Sequence, residues 1–153
     1  MRDLCTTYYV SSRTGNDAND GKSREHAFAT LSAVNRLTLR PGDNVLLEAG
    51  SVFAGQYLRI TNSGTKDAPI VIGSYGEGDL PRIDTEGNGI WYQDYGQPLD
   101  SQTHVYKDYV SSSVLLYDAE YVTVQDLEIT NRGTEIPGEI YSAPHKMNRT
   151  GVA

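Results

Sequence analysis

Tyr121-Val122-Thr123-Val124-Gln125-Asp126-Leu127-Glu128-Ile129-Thr130-Asn131 carries two pairs of alternating apolar residues that are out of phase with each other. Val122 and Val124 lie two apart and share one face of a strand, as do Leu127 and Ile129. Between the two pairs the phase slips by one residue, and an odd shift sends side chains to opposite faces of a straight strand. A bend at Gln125-Asp126 lets all four apolar residues point to one interior. Two short strands that meet at a corner suit a β-solenoid and not a flat sheet.

Elsewhere in the chain short apolar runs recur with turn residues between them: Tyr8-Tyr9-Val10-Ser11, Val45-Leu46-Leu47, Tyr57-Leu58-Arg59-Ile60, Ile70-Val71-Ile72, Arg82-Ile83 and Val114-Leu115-Leu116. No helices separate them, which excludes a βαβ sheet. Val45 to Ile70 spans 25 residues and Ile60 to Ile83 spans 23, an interval that fits one coil of a solenoid. A sandwich would favour tight Asn-Gly hairpins. Asn88-Gly89 is such a pair, but Asp84-Thr85-Glu86-Gly87 before it is not an alternating strand. The helix predicted over residues 30–38 has Thr30 as its N-cap and Leu31, Val34 and Leu37 three apart on one face, with Pro41-Gly42 stopping the chain soon after.

Composition agrees with strands and turns. Eleven Tyr stand against two Phe and one Trp, with fifteen Gly, among 153 residues, enough for one ordinary domain or a few coils of a repeat. The formal charge of −7, with basic residues scattered singly, argues against nucleic acid as a partner. No apolar run approaches the ~20 residues of a bilayer span. Cys5 is alone, so no intrachain disulfide framework exists. Met1-Arg2-Asp3-Leu4-Cys5 has no apolar segment behind it and is not a secretory signal as written.

The loop Gly15-Asn16-Asp17-Ala18-Asn19-Asp20-Gly21 has the composition of a calcium site. With Gly21 at the sharp turn of an EF-hand, however, ligand positions fall on Asn16, Ala18 and Asp20 and the closing position on Ala27, so an Asx-stabilised turn is the better reading. Gly73-Ser74-Tyr75-Gly76-Glu77-Gly78 is followed by Asp79-Leu80-Pro81 rather than a helix, so it is a turn and not a phosphate loop. His26, His104 and His145 lack the spacing of a metal site.

Taken with Ala27-Phe28-Ala29-Thr30-Leu31 and Pro41-Gly42-Asp43, the strands, the Asx loop and the Val122–Asn131 rung resemble the start of right-handed parallel β-helix proteins of the pectate-lyase-like superfamily. The ending His145-Lys146-Met147-Asn148-Arg149-Thr150-Gly151-Val152-Ala153 is similar to secreted bacterial glycosidases of the lacto-N-biosidase type. The resemblance implies an all-β solenoid with residues 30–38 capping the first coil, residues 89–113 inserted, and 1–153 as an N-terminal portion of a longer chain. It also implies an extracellular carbohydrate-active enzyme, hydrolase ahead of lyase, whose partners are a glycan and the remaining coils. An adhesin, stalk or glycan-binding scaffold is the alternative.

Glycoside hydrolysis needs two carboxylates about 5 to 5.5 Å apart for retention or roughly 6.5 to 9.5 Å for inversion. Asp126 with Glu128, Asp118 with Glu120, and Asp84 with Glu86 are the close pairs, and each reads as solvated turn residues, so no catalytic residue is assigned. Lyase chemistry would bring in calcium, with an Arg or Lys as base. Arg82 and Asp84 share a strand parity, but nothing else converges on them, and neither a metal site nor a cofactor is expected. The insertion gathers Trp91, Tyr92, Tyr95, Tyr106 and Tyr109, and Trp91 and Tyr92 are the candidate glycan-binding residues, since aromatic faces suit sugar rings. Asn148-Arg149-Thr150 matches an N-glycosylation acceptor, a coincidence in a chain of bacterial resemblance.

Overall fold

In the computed structural model, residues 5–94, 96, 107–132 and 148–153 are described. Eleven strands and one short helix follow one another: β1 (Thr7–Val10), α1 (Leu31–Asn35), β2 (Asn44–Glu48), β3 (Val52–Ala54), β4 (Leu58–Ile60), β5 (Ile70–Tyr75), β6 (Arg82–Asp84), β7 (Ile90–Asp94), β8 (Lys107–Leu116), β9 (Val122–Val124), β10 (Glu128–Thr130) and β11 (Asn148–Val152). The described part is therefore mostly β.

Three parallel sheets hold these strands, ordered β1-β2-β5-β9, β3-β6-β10 and β4-β8-β11, with β7 antiparallel beside β8. From β2 onward the chain visits the three sheets in the same order three times: β2-β3-β4, β5-β6-β8, β9-β10-β11. Apolar residues stack in columns as a result. Val45 pairs with Ile72, which lies two residues beyond Ile70 on β5, whose own partner is Val122. Phe53 pairs with Ile83 and Ile83 with Ile129 in the second sheet. Leu58 pairs with Val114 and Val114 with Val152 in the third. Val45, Ile72, Phe53, Ile83, Leu58 and Val114 are all fully buried.

The spacing of Ile60 to Ile83 is not a repeat: Ile60 pairs with Leu116, whereas Ile83 belongs to the neighbouring sheet. The strand that stacks on β4 comes only after β7 and the chain that follows it, so the interval read from sequence joined two different sheets.

The corner in the Tyr121–Asn131 stretch stands where the phase slip put it. β9 lies in the first sheet and β10 in the second, and Asp126 between them has φ 57°, in the left-handed region that bends the chain. Val122, Val124, Leu127 and Ile129 all pack against one core.

Thr30 caps α1, its hydroxyl accepting from the Ala33 N–H. The helix stops at Asn35, short of residue 38. Leu37 N–H bonds back to the Val34 carbonyl, three residues away, which tightens the last turn and ends it. Asn35 turns to the outer edge of β4, donating to the Tyr57 carbonyl and accepting from the Arg59 N–H. Gln56 accepts from Leu31 N–H, and Asn62 from Leu39 N–H. The segment thus occupies backbone groups that an open β4 edge would leave free. The Asx loop behaves as read: Asn16 and Asp20 accept from the N–H groups two residues on, and Asp17 accepts from Ala29 N–H, Thr30 N–H and the Thr30 hydroxyl.

Candidate functional site

Residues 89–113 include two strands in their described part. β7 runs antiparallel to the first half of β8, Trp91 opposite Val110 and Tyr92 opposite Tyr109. β11 lies on the other side of β8, so β7 shares the edge that β4 occupies further along. Tyr95 and Tyr106 lie outside the described residues, as do His104 and His145.

At the junction of β4, β7 and β8 is a hollow of about 380 Å³ lined by Arg59, Thr61, Trp91, Tyr92, Leu115 and Tyr117. Its wall in the third sheet follows from strand parity. Leu58, Ile60 and Val114 face the core, so Arg59, Thr61, Leu115 and Tyr117 face outward, with Arg59 paired to Leu115. Leu115 faces outward and is still only 5% exposed, being covered on this face. Trp91 is half-buried and tied down by its indole N–H, which donates to Ser112 Oγ at 2.8 Å. Tyr92 and Tyr117 are 51% and 54% exposed. Tyr109 meets the Tyr92 ring edge-on, 5.2 Å between centroids, and the Arg59 guanidinium lies 5.6 Å from the Tyr57 ring centroid. The structure therefore brings the two sequence-predicted residues, Trp91 and Tyr92, into one hollow. It adds Arg59, Thr61, Leu115 and Tyr117, which only the β4–β8 register could have revealed.

The carboxylates are placed differently. Asp84 is fully buried and accepts from Glu86 N–H, Arg132 N–H and Arg132 Nε. Burial opposes its charge, but the Arg132 side chain and the two backbone N–H groups outweigh burial and hold its pKa below 3.8. Glu128 pairs with Arg82 at 3.4 Å in a half-exposed position. Glu86, Asp118 and Asp126 have φ of 52°, 49° and 57°, the backbone of turns and corners. His26 Nδ1 meets Ser23 Oγ within an exposed turn. Among the described residues no three His, Cys, Asp or Glu are grouped as a metal site, and no helix is long and apolar enough to cross a membrane.

A polar cluster that composition did not signal lies on β8 opposite residues 85–88, the turn that follows Asp84. Ser111, Ser112 and Ser113 are all buried. Ser111 Oγ donates to the Asn88 carbonyl, Ser113 Oγ to the Thr130 carbonyl, and Ser112 Oγ shares a bond with Thr150 Oγ1. Asn131 accepts from Gly87 N–H and donates to the carbonyls of Ser111 and Thr150. This network stitches the corner between the second and third sheets.

Asp84→Asn tests the ion pair through pH. The unfolded carboxyl binds its proton near 3.8 and the folded one only below that, so between these values the unfolded chain holds more protons. The stabilisation from Asp84 is whole above the unfolded value and is lost as pH falls through the folded one. Asp17, also held below 3.8, acts in the same direction. Urea unfolding across the acid range is expected to show a shallower loss of stability for Asp84→Asn than for the parent; equal slopes would refute the assignment.

Comparison with known proteins places the chain beside glycoside hydrolases. Its relatives are lacto-N-biosidases: the chain is 40% identical over 171 residues to the lacto-N-biosidase of Bifidobacterium longum subsp. longum, a match that takes in 97% of this chain and 11% of that protein. Crystal structures of a GH136 lacto-N-biosidase from Eubacterium ramulus, native and selenomethionine forms, match at 62% identity with TM-scores of 0.89 and 0.88. Each covers 96% of this chain and 23% of the solved one. No protein-family model matches. The chain thus spans only a minor share of the relatives it resembles.

Proposed function

We propose that this chain is part of a glycoside hydrolase of the lacto-N-biosidase type, acting on glycans outside the cell. The observation that carries the reading is the 62% identity, at a TM-score of 0.88 and over 96% of the chain, to a GH136 lacto-N-biosidase. In this reading the three rounds of strands are coils of a right-handed parallel β-helix of the pectate-lyase-like kind, with α1 covering the first. The repeated visiting order of the sheets supports coiling, and the right-handed preference of parallel crossovers supports the hand. Residues 1–153 supply scaffold rather than the catalytic pair. Asp84 is held by Arg132 and Glu128 by Arg82, while Asp118 and Asp126 shape turns.

The whole reading frame around this chain, assayed on milk-type oligosaccharides, is expected to release a disaccharide, and the 153-residue chain alone is expected to release none. Robust turnover by the short chain would overturn the scaffold assignment. A silent full-length protein would overturn the hydrolase reading.

A further inference from the structure

We infer that the hollow between β4, β7 and β8 is a binding site for a neutral saccharide, an inference that rests on the glycan-acting reading above and assigns it a place. Tyr92, Tyr109 and Tyr117 are each more than half exposed, yet Tyr92 and Tyr109 stand on paired strands and Tyr117, one residue beyond β8, is tied by its N–H to the Ile60 carbonyl. A pyranose presents C–H groups on one face and hydroxyls round its rim. The hollow answers both. Tyr92 and Tyr117 offer ring faces, Leu115 an apolar floor, and Arg59 and Thr61 a guanidinium and a hydroxyl for the rim.

The geometry is set before any ligand arrives. The Ser112 bond fixes Trp91, the edge-on Tyr109 ring braces Tyr92, and the Tyr57 ring and the Asn35 bond to its N–H steady Arg59. Preorganised rings lose little freedom on binding. The lining offers a carboxylated sugar no paired cations, since a single guanidinium is the only charge it presents. The chain carries a formal −7, Arg59 is the one charged residue lining the hollow, and Lys107, further along the hairpin, faces Asp94 at 3.4 Å.

The test is isothermal titration of the protein with lacto-N-tetraose, a neutral tetrasaccharide, and with a sialylated counterpart. Emission of Trp91, the one tryptophan of the sequence, serves as local reporter. Saturable binding of the neutral sugar with a shift in Trp91 emission is expected. Tyr92→Ala and Tyr117→Ala should each weaken it about tenfold, Tyr92→Phe should keep it, and Leu80→Ala, equally exposed but outside the hollow, should leave it unchanged. Absence of binding, parental affinity retained in both alanine variants, or tighter binding of the sialylated sugar would each overturn the assignment. So would a self-association that Tyr92→Ala abolishes, which would make a second copy the occupant. Hydrolysis is read separately on the full reading frame: cleavage with unaltered binding in the variants refutes the hollow alone, and binding without cleavage refutes the hydrolase alone.

Discussion

Phe53→Ala is expected to cost about 4 kcal/mol of stability, the largest loss of any single side-chain truncation among the described residues. Phe53 is fully buried and heads the fully buried side chains by volume. It stands on β3 in a column with Ile83 and Ile129, one residue from each of three rounds. Removing the ring leaves a void whose walls are held by ladders in all three sheets. β3 is an edge strand paired only with β6, but β6 is paired on both sides and the rest of the buried core packs around it, so only part of the cavity can close. Val52, beside it on β3 but 46% exposed, is the control, and Val52→Ala should stay within about 0.5 kcal/mol. Urea unfolding of the two variants measures both. A loss below about 1.5 kcal/mol for Phe53→Ala would mean that the columns are loosely packed, against the burial seen here.

That same strand marks where sequence reasoning ran short. Val52-Phe53-Ala54 has a single inward apolar residue, between turns at Gly50 and Gly55 with φ of 79° and 70°, and three residues show no period. Only stacking against Ile83 makes it a strand. The β9–β10 corner was legible for the opposite reason: four apolar residues and one phase slip lie within a single local stretch, and Asp126 tolerates the left-handed bend. Spacing between strands was less informative, because the chain between β6 and β8 delays the partner of β4.

The site divides in the same way. Trp91 and Tyr92 stood out as aromatics close in sequence, whereas Arg59 and Thr61 reach Leu115 and Tyr117 only through the β4–β8 register. The Asp84–Arg132 pair, 48 residues apart, has no local signature at all. Ser111, Ser112 and Ser113 gave no sign of burial in the sequence, because their hydroxyls are satisfied by carbonyls brought by other parts of the chain.

Gly89→Ala is expected to cost about 3 kcal/mol or more and to detach β7 from the third sheet. Gly89 has φ 62°, where an alanine pays about 1 to 2 kcal/mol relative to glycine. Space adds a second penalty. A Cβ built there falls 2.4 Å from the Ser112 carbonyl oxygen and 2.8 Å from Tyr57 Cβ, and backbone oxygen cannot swing aside as a flexible side chain can. The Gly89 carbonyl also accepts from Ser112 N–H at 3.1 Å, so moving Gly89 away from β8 breaks that bond. Gly96 separates the two costs. Its φ of 74° is similar, but a Cβ there meets nothing within 4 Å, so Gly96→Ala should lose only the backbone share, about 1 kcal/mol. Since Ser112 also accepts from the Trp91 indole, displacement of β7 should open that bond and shift Trp91 emission to the red in Gly89→Ala alone. Equal stability and equal emission in the two glycine variants would show that β7 can yield without cost. With β7 displaced, Trp91 and Tyr92 leave the wall they share with Arg59 and Tyr117, so saccharide binding should fall in Gly89→Ala although no lining residue has changed.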